Sequence, residues 1–288
     1  MYNIIMFAYN ESDNLKHSLT NVFNNIDNRV QHVYLLANGC TDNTVMVANA
    51  IKEKLKFEQL KVIEIKLGDK CNAWNHYVHE IKAEAECHFF IDADVIFSEK
   101  CFPILYDEMM NADPKPNIVA GYPLSGRNLD FYQMLVEERA CFYGNLYGAS
   151  EHYIKMVRDK PFHLPIGLNW IDSFLTKAAN TDIQFLKDNL PNRVIYKQGV
   201  GFKFESLSPF KTDDIKLYKN RIARYELGKI QEHYLDALDV VDWPKTMFNI
   251  NQQIMSNFED KTAHLSFIKK WLVKKRLIQL IKKETKTQ

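Results

Sequence analysis

Over its first hundred or so residues the chain alternates short apolar runs with helical patterns, and no other feature limits its fold so tightly. Runs near 2–8, 32–37, 61–66 and 87–92 read as strands, and stretches near 12–26, 42–56 and 71–83 carry helical periodicity. Asn3-Ile4-Ile5-Met6-Phe7-Ala8 and His32-Val33-Tyr34-Leu35-Leu36-Ala37 are continuous enough in apolar character to be buried on both sides. Such strands, separated by helices, predict a parallel sheet covered on both faces.

Farther along, Ser98 is expected to cap a helix that ends before the loop Asp113-Pro114-Lys115-Pro116. Ile118-Val119-Ala120 reads as a short strand. The stretch from Asp130 to about Met156 reads as helical, broken by Gly144 and Gly148. Ile166 to Ala179 reads as a loop entering a helix, and Arg193-Val194-Ile195-Tyr196 as a strand. A helix is predicted from Thr212 to about Leu238, ended by Asp242-Trp243-Pro244, with a helical tail beyond.

The 288 residues suffice for a large packed core, and 46% apolar and 12% aromatic content are those of a globular protein. A formal charge of +1 gives no reason to expect nucleic acid as a partner. Five cysteines without a Cys-x-x-Cys pair fit neither a metal cage nor a disulfide framework, which suits a reducing cytosol. The chain enters a core strand at once, so no signal peptide is expected. No apolar run approaches the roughly 20 residues of a membrane span. The expected setting is cytoplasmic, either soluble or peripheral at the inner face of the membrane.

The balanced charge conceals an asymmetry. From Ser266 onward the chain carries Lys269, Lys270, Lys274, Lys275, Arg276, Lys282, Lys283 and Lys286 against Glu284 alone, so the remainder is net acidic. Phe267, Trp271, Leu272, Leu277, Ile278 and Ile281 fall among these cations at near-helical spacing. Two readings stand open: an interfacial helix lying on a membrane through residues 266–288, or a helix packed on the domain with a solvated basic face.

Asp92-Ala93-Asp94 follows the apolar run His88-Phe89-Phe90-Ile91. Carboxylates at i and i+2 leaving a strand point to the same side, at the edge where an α/β sheet presents ligand-binding groups. A hard divalent cation in a phosphate site uses one or two carboxylates plus phosphate oxygens. The pair therefore suits Mg²⁺ or Mn²⁺ held against a nucleotide diphosphate. An Asx-turn or a helix cap is the plainer use of the same residues.

Four segments taken in order resemble the family 2 glycosyltransferases of the GT-A fold. That signature runs strand-Ala-Tyr-Asn-Glu, strand-Asp-Asn-Gly-Ser-Thr-Asp-x-Thr, Gly-Lys-x-x-Ala-x-Asn and Asp-x-Asp. Here stand Ala8-Tyr9-Asn10-Glu11, Ala37-Asn38-Gly39-Cys40-Thr41-Asp42-Asn43-Thr44, Gly68-Asp69-Lys70-Cys71-Asn72-Ala73-Trp74-Asn75 (one residue inserted after the glycine) and Asp92-Ala93-Asp94. The resemblance implies a Rossmann-like α/β fold: a mixed, mostly parallel sheet flanked by helices, with a helical C-terminal extension. It divides the chain into a nucleotide-sugar-binding half at 1–125, an acceptor-binding half at 126–230 and the extension at 231–288.

By the same resemblance Ala8, Tyr9, Asn10 and Glu11 hold base and ribose. Asp92 lies near the ribose, and Asp94, with Asp92, holds the divalent cation. Lys70 approaches the diphosphate, where the plainer reading is a solvated loop lysine. Asn10 and Glu11 equally suit a turn and a helix N-terminus. Where the family usually has an Asp that meets uracil, this chain has Ala37, so Asn38 is expected to offer its amide oxygen to the base. Cys40 replaces the usual Ser and reads as a small packed residue. No His falls between His163 and His233; Lys203 stands near the place of the family's late metal-binding His. A protonated lysine cannot ligate a metal but can neutralise the diphosphate, so metal dependence stays open.

In the acceptor half, the family's base follows a Pro-x-Gly loop. Leu164-Pro165-Ile166-Gly167-Leu168-Asn169-Trp170-Ile171-Asp172 matches it, with Ile171 where Glu is commoner. Asp172, flanked by Trp170, Ile171 and Phe174, would be partly desolvated and thereby a better general base. The alternative is that Asp172 is an N-cap; Glu151 and Glu205 are then the fallback bases. The resemblance thus implies an inverting glycosyltransferase that uses a nucleotide-diphosphate sugar and a glycan or lipid-linked acceptor. A sugar-phosphate nucleotidyltransferase is disfavoured because the loop after the first strand lacks glycine. A silent scaffold with a membrane-binding tail is disfavoured by the joint presence of Asp92, Asp94 and Asp172.

Overall fold

The computed structural model describes residues 1–204 and 210–285, the side chain of Asp213 apart. Its strands are β1 (Tyr2–Ala8), β2 (Val30–Asn38), β3 (Leu60–Ile65), β4 (Cys87–Asp92), β5 (Ile96–Phe97), β6 (Ile118–Pro123), β7 (Leu146–Ser150) and β8 (Val194–Lys203). Its helices in the first half are α1 (Leu15–Asn25), α2 (Thr44–Leu55), α3 (Lys70–Asn75), α4 (Cys101–Asn111), α5 (Leu129–Arg139) and α6 (Glu151–Asp159). Then come α7 (Ile171–Asn180), α8 (Thr212–Leu235), α9 (Phe248–Ser256), α10 (Phe258–Lys261) and α11 (Phe267–Thr285). A π-helical turn, His76–Ile81, continues α3.

The eight strands form one sheet in the order β3-β2-β1-β4-β7-β6-β8-β5. β1, β2, β3 and β4 run parallel, as the alternation of strands with helices predicts. β7 pairs antiparallel with both β4 and β6, and β8 returns parallel to β6. The sheet is therefore mixed.

Alternate residues of each central strand serve two cores. Ile4, Met6, Val33, Leu35, Phe89 and Ile91 pack with Leu15, Leu19 and Val22 of α1 and with Phe102 and Leu105 of α4. On the other face the rings of Phe7, Phe90 and Tyr147 stack in sequence, at 6.1 and 5.0 Å between centroids, under Trp74 and Tyr77. Both faces are covered, which explains the lack of in–out alternation in the central strands.

Two local readings need correction. Residues 146–150, read as part of a broken helix, form β7. Gly148 pairs with Phe89 and Val119, and glycine stands there because a Cβ would lie 2.7 Å from the Phe89 ring and 2.8 Å from Val119. Ser98 does not cap a helix. Its hydroxyl accepts the Gly201 N–H at 3.0 Å and so joins β5 to β8, while α4 starts at Cys101.

The packing separates the chain into two compact units. The first comprises Met1–Phe162 and Leu175–Ser206 and contains the whole sheet; the second comprises His163–Phe174 and Leu207–Gln288 and is built on α8–α11. Among the described residues no helix is long and apolar enough to cross a membrane. All five cysteines are free thiols.

Candidate active site

In the first unit, β1, β2 and β4 stop together. The register sets Ala8 beside Ala37 and Phe7 beside Asp92, so the residues after each strand share one edge at the strands' C-terminal ends. That is the edge at which open α/β sheets bind ligands.

The turn after β1 is tied to the segment entering α2. Asn10 takes a left-handed backbone (φ 55°), which Asn tolerates better than most side chains. Its amide oxygen accepts the Thr41 N–H at 2.8 Å and its amide nitrogen donates to the Thr41 hydroxyl at 3.2 Å. The Glu11 N–H donates to the Thr44 hydroxyl at 2.8 Å, and the Ser12 N–H to Asp42 at 3.1 Å. Asp42 also accepts the Thr44 N–H and hydroxyl, at 3.0 and 2.6 Å. Desolvation pushes this carboxyl up, but the donors from Thr44 and Ser12 outweigh it and bring its pKa down to about 2. Cys40 is half-buried, with its sulfur 3.4 Å from the Ala8 carbonyl oxygen and from the Asn10 N–H nitrogen.

The Tyr9 ring stands out of this turn, 59% exposed, beside Gly68. Gly39 (φ +69°) meets Gly68 so closely that a Cβ on Gly39 would lie 2.4 Å from the Gly68 Cα. An open aromatic face next to bare peptide is a seat for a planar ring.

Asn38 does not present a spare side chain to such a ring. It is buried, and its amide oxygen accepts the Asp69 N–H at 3.0 Å. Asp69 in turn caps α3 through the Asn72 N–H at 3.1 Å. Asn38 therefore fixes the loop that carries Lys70, and Ala37 is packed in the α1 core. The role of Asp69 was not read from the sequence; Asp three residues before Asn72 is the signal that could have found it.

Lys70 reaches Asp92, Nζ to Oδ1 at 2.5 Å, with Nζ 5.4 Å from the centre of the Phe7 ring. Ala93 and Val95 are buried, whereas Asp92 at the end of β4 is half-buried and Asp94, in the turn that follows, is exposed. Glu11 lies in the same field. Burial raises its carboxyl above the ordinary range, a hydrogen bond from Asn14 opposes that, and the charges of Asp94, Asp92 and Asp42 raise it further. Four carboxylates thus share one neighbourhood, with Lys70 on Asp92.

The donor set fits a hard cation in one way. Among the described residues no three His, Cys, Asp or Glu stand close enough to cage a metal by themselves. Asp94 and Asp92 could supply one or two oxygens, and phosphate and water would complete the shell. Lys203 reaches this edge from the other direction. It pairs with Ile96, two residues past Asp94, and its side chain is exposed.

In the second unit, Asp172 is half-buried in the first turn of α7. The helix opens at Ile171, and the Ser173 N–H turns back to the Trp170 carbonyl at 3.2 Å. Asp172 is thus inside the helix, past the capping position. The loop before it is held from below: the Asn169 N–H donates to Gln231 at 2.9 Å, and Gln231 donates to Asn251 at 2.8 Å. Trp170, at φ 56°, lies 6.0 Å from the Tyr225 ring.

The fallback base Glu151 is at the wrong end of the sheet. It follows Ser150, which pairs with Cys87 at the start of β4, whereas Asp92 ends that strand. Its Oε2 is bound to buried His88 at 2.7 Å, whose other ring nitrogen meets the Tyr77 hydroxyl at 2.8 Å. Glu205 lies outside the described residues.

The sequence matches the model of glycosyl transferase family 2 over residues 3–161, more than half of its length, and the chain belongs to that family of glycosyltransferases. No curated protein matches it in sequence. Mannosyltransferase PcManGT from Pyrobaculum calidifontis, in complex with GDP-Man and Mn²⁺, superimposes with a TM-score of 0.62 at 16% identity, over 97% of this chain and 73% of that one. S. aureus TarS 1-349 in complex with UDP-GlcNAc gives 0.57 at 14% identity, over 97% and 81%. Glucosyl-3-phosphoglycerate synthase from Mycobacterium tuberculosis, with Mn²⁺ and UDP-Glc, gives 0.52 at 15%, over 79% and 78%. At such identities the likeness speaks for the fold, a GT-A-type mixed sheet with a helical C-terminal region.

Proposed function

We propose that the protein transfers a sugar from a nucleotide-diphosphate sugar to a glycan or lipid-linked acceptor, as in surface polysaccharide synthesis, with inversion at the sugar carbon. Residues 1–125 would bind the donor, 126–230 the acceptor, and 231–288 form the extension. The observation that carries the reading is the acidic edge of Glu11, Asp42, Asp92 and Asp94 with Lys70 on Asp92, inside the family-matched segment.

Departure of a nucleoside diphosphate leaves two phosphates' negative charge to be stabilised. A bound Mn²⁺ or Mg²⁺ would supply Lewis-acid charge there, held by Asp94 and Asp92. Lys70 would exchange its bond to Asp92 for the diphosphate, and Lys203 would add a second cation. Tyr9, over the Gly39–Gly68 contact, would stack on the base, with Ala8 and Glu11 lining the base and ribose. Asp172 would accept the proton of the attacking hydroxyl. Neighbours that bind GDP-Man, UDP-GlcNAc and UDP-Glc support a nucleotide-sugar donor, and those with Mn²⁺ support a divalent cation.

The test is calorimetric titration of GDP and UDP, each with and without Mn²⁺, on the wild type and Asp94→Asn. One of the two nucleotides should bind in a Mn²⁺-dependent way, and Asp94→Asn should lose that dependence while keeping its melting temperature. Equal affinity of the variant in Mn²⁺ removes Asp94 from the metal site, and failure of both nucleotides to bind overturns the donor reading.

A further inference from the structure

α11 has two faces. Leu272, Val273, Leu277 and Leu280 are buried where the helix packs on α8 and α9. The set expected to form one apolar face is therefore divided, with Leu272 and Leu277 given to the fold. On the opposite side Phe267, Trp271, Lys275, Ile278 and Lys282 follow at three- or four-residue intervals and face solvent. Phe267 is 84% exposed, its neighbour Ile268 69% and Trp271 55%.

The cations divide in the same way. Lys269 is bound to Glu226 at 2.6 Å and Lys270 to Glu259 at 3.2 Å, so both serve the second unit. Lys275 has Nζ 5.4 Å from the centre of the exposed Trp271 ring, Lys282 is exposed, and Lys274, also exposed, has Nζ 5.3 Å from the centre of the Phe258 ring. Large exposed apolar side chains mixed with lysines make this face both apolar and cationic.

We propose that this face of α11 docks the protein on an anionic lipid bilayer. Phe267, Ile268 and Trp271 enter the interface, and Lys274, Lys275 and Lys282 meet headgroup phosphates. A fluid interface takes in exposed apolar side chains without a shaped pocket, and its negative potential matches the lysines. A second copy fits poorly, because a two-fold contact through this face would oppose the lysines of both copies. The attachment is independent of the donor site in the first unit and would hold the enzyme where lipid-linked acceptors reside.

The experiment is co-sedimentation of the full chain with phosphatidylcholine–phosphatidylglycerol vesicles and with phosphatidylcholine alone. Binding should require the anionic lipid and weaken as salt is added. Phe267→Ser with Trp271→Ser should weaken it roughly tenfold or more, from lost apolar burial. Lys274→Gln with Lys275→Gln should do the same, from lost charge. Both variants should keep the melting temperature and nucleotide affinity of the wild type, which separates this inference from the reaction proposed above. No sedimentation at low salt, or equal sedimentation of both variants, overturns it. Reversible dimerisation in ultracentrifugation that is abolished by Phe267→Ser/Trp271→Ser would instead assign the face to a second copy.

Discussion

Glu11 is a carboxylate whose charge a nearby cation would favour. Its pKa is raised chiefly by burial and then by Asp94, Asp92 and Asp42, so the fold disfavours its charge. Stability linked to it is present below the ordinary Glu range and is lost as pH rises through the raised value. Glu11→Gln should therefore raise the melting temperature of the metal-free protein at neutral pH, a gain that vanishes below about pH 4. Equal melting curves at pH 7 would count against the shared field. Asp42 has the opposite sign: its pKa of about 2 lies below the unfolded value, so its contribution is present above about pH 4 and fades as pH falls towards 2. Asp172 separates chemistry from structure. As general base, Asp172→Asn should keep donor affinity and lower kcat by about 10²–10⁴-fold. Because Asp172 sits past the capping position, a structural role leaves the variant with nearly unchanged turnover, and steady-state kinetics decides.

Among the elements, the crossing of two loops at Gly39 and Gly68 holds the nucleotide edge together. Gly39→Ala imposes a Cβ 2.4 Å from the Gly68 Cα at a φ of +69°, so the loop carrying Asp69 and Lys70 must move. We expect a loss of about 1–3 kcal/mol in denaturant unfolding, with weaker nucleotide binding. Wild-type stability would show that the loops part without cost. β1, β2 and β4 were legible because apolar runs of strand length, bounded by turn residues, have few alternatives. β7 was not. Its Leu-Tyr-Gly-Ala-Ser run has little strand propensity, and it becomes a strand because β4 and β6 both pair with it; the crowding by Phe89 and Val119 accounts for the glycine at 148. Ser98 departs from expectation for a related reason: a serine near a helix start resembles a cap until β8 arrives to use its hydroxyl.

Over the whole molecule, the donor residues expected from the sequence lie in the first unit and Asp172 in the second. Hydrogen exchange with nucleotide and Mn²⁺ should show new protection at residues 9–12, 38–44, 68–75 and 92–98, and none in α9–α11. Protection confined to the second unit would move the donor site. The parallel core and the acidic strand end are legible in the residues alone, since strand period, apolar continuity and turn chemistry are local. So is the basic tail, which is a matter of composition. Packing sets three things: the Asn38 amide oxygen serves Asp69, Lys203 comes beside the strand after Asp94, and α11 buries Leu272 and Leu277 while leaving Phe267 and Trp271 in water. Each depends on a partner far away in the chain, and periodicity gives the faces of a helix without saying which one a distant element will cover.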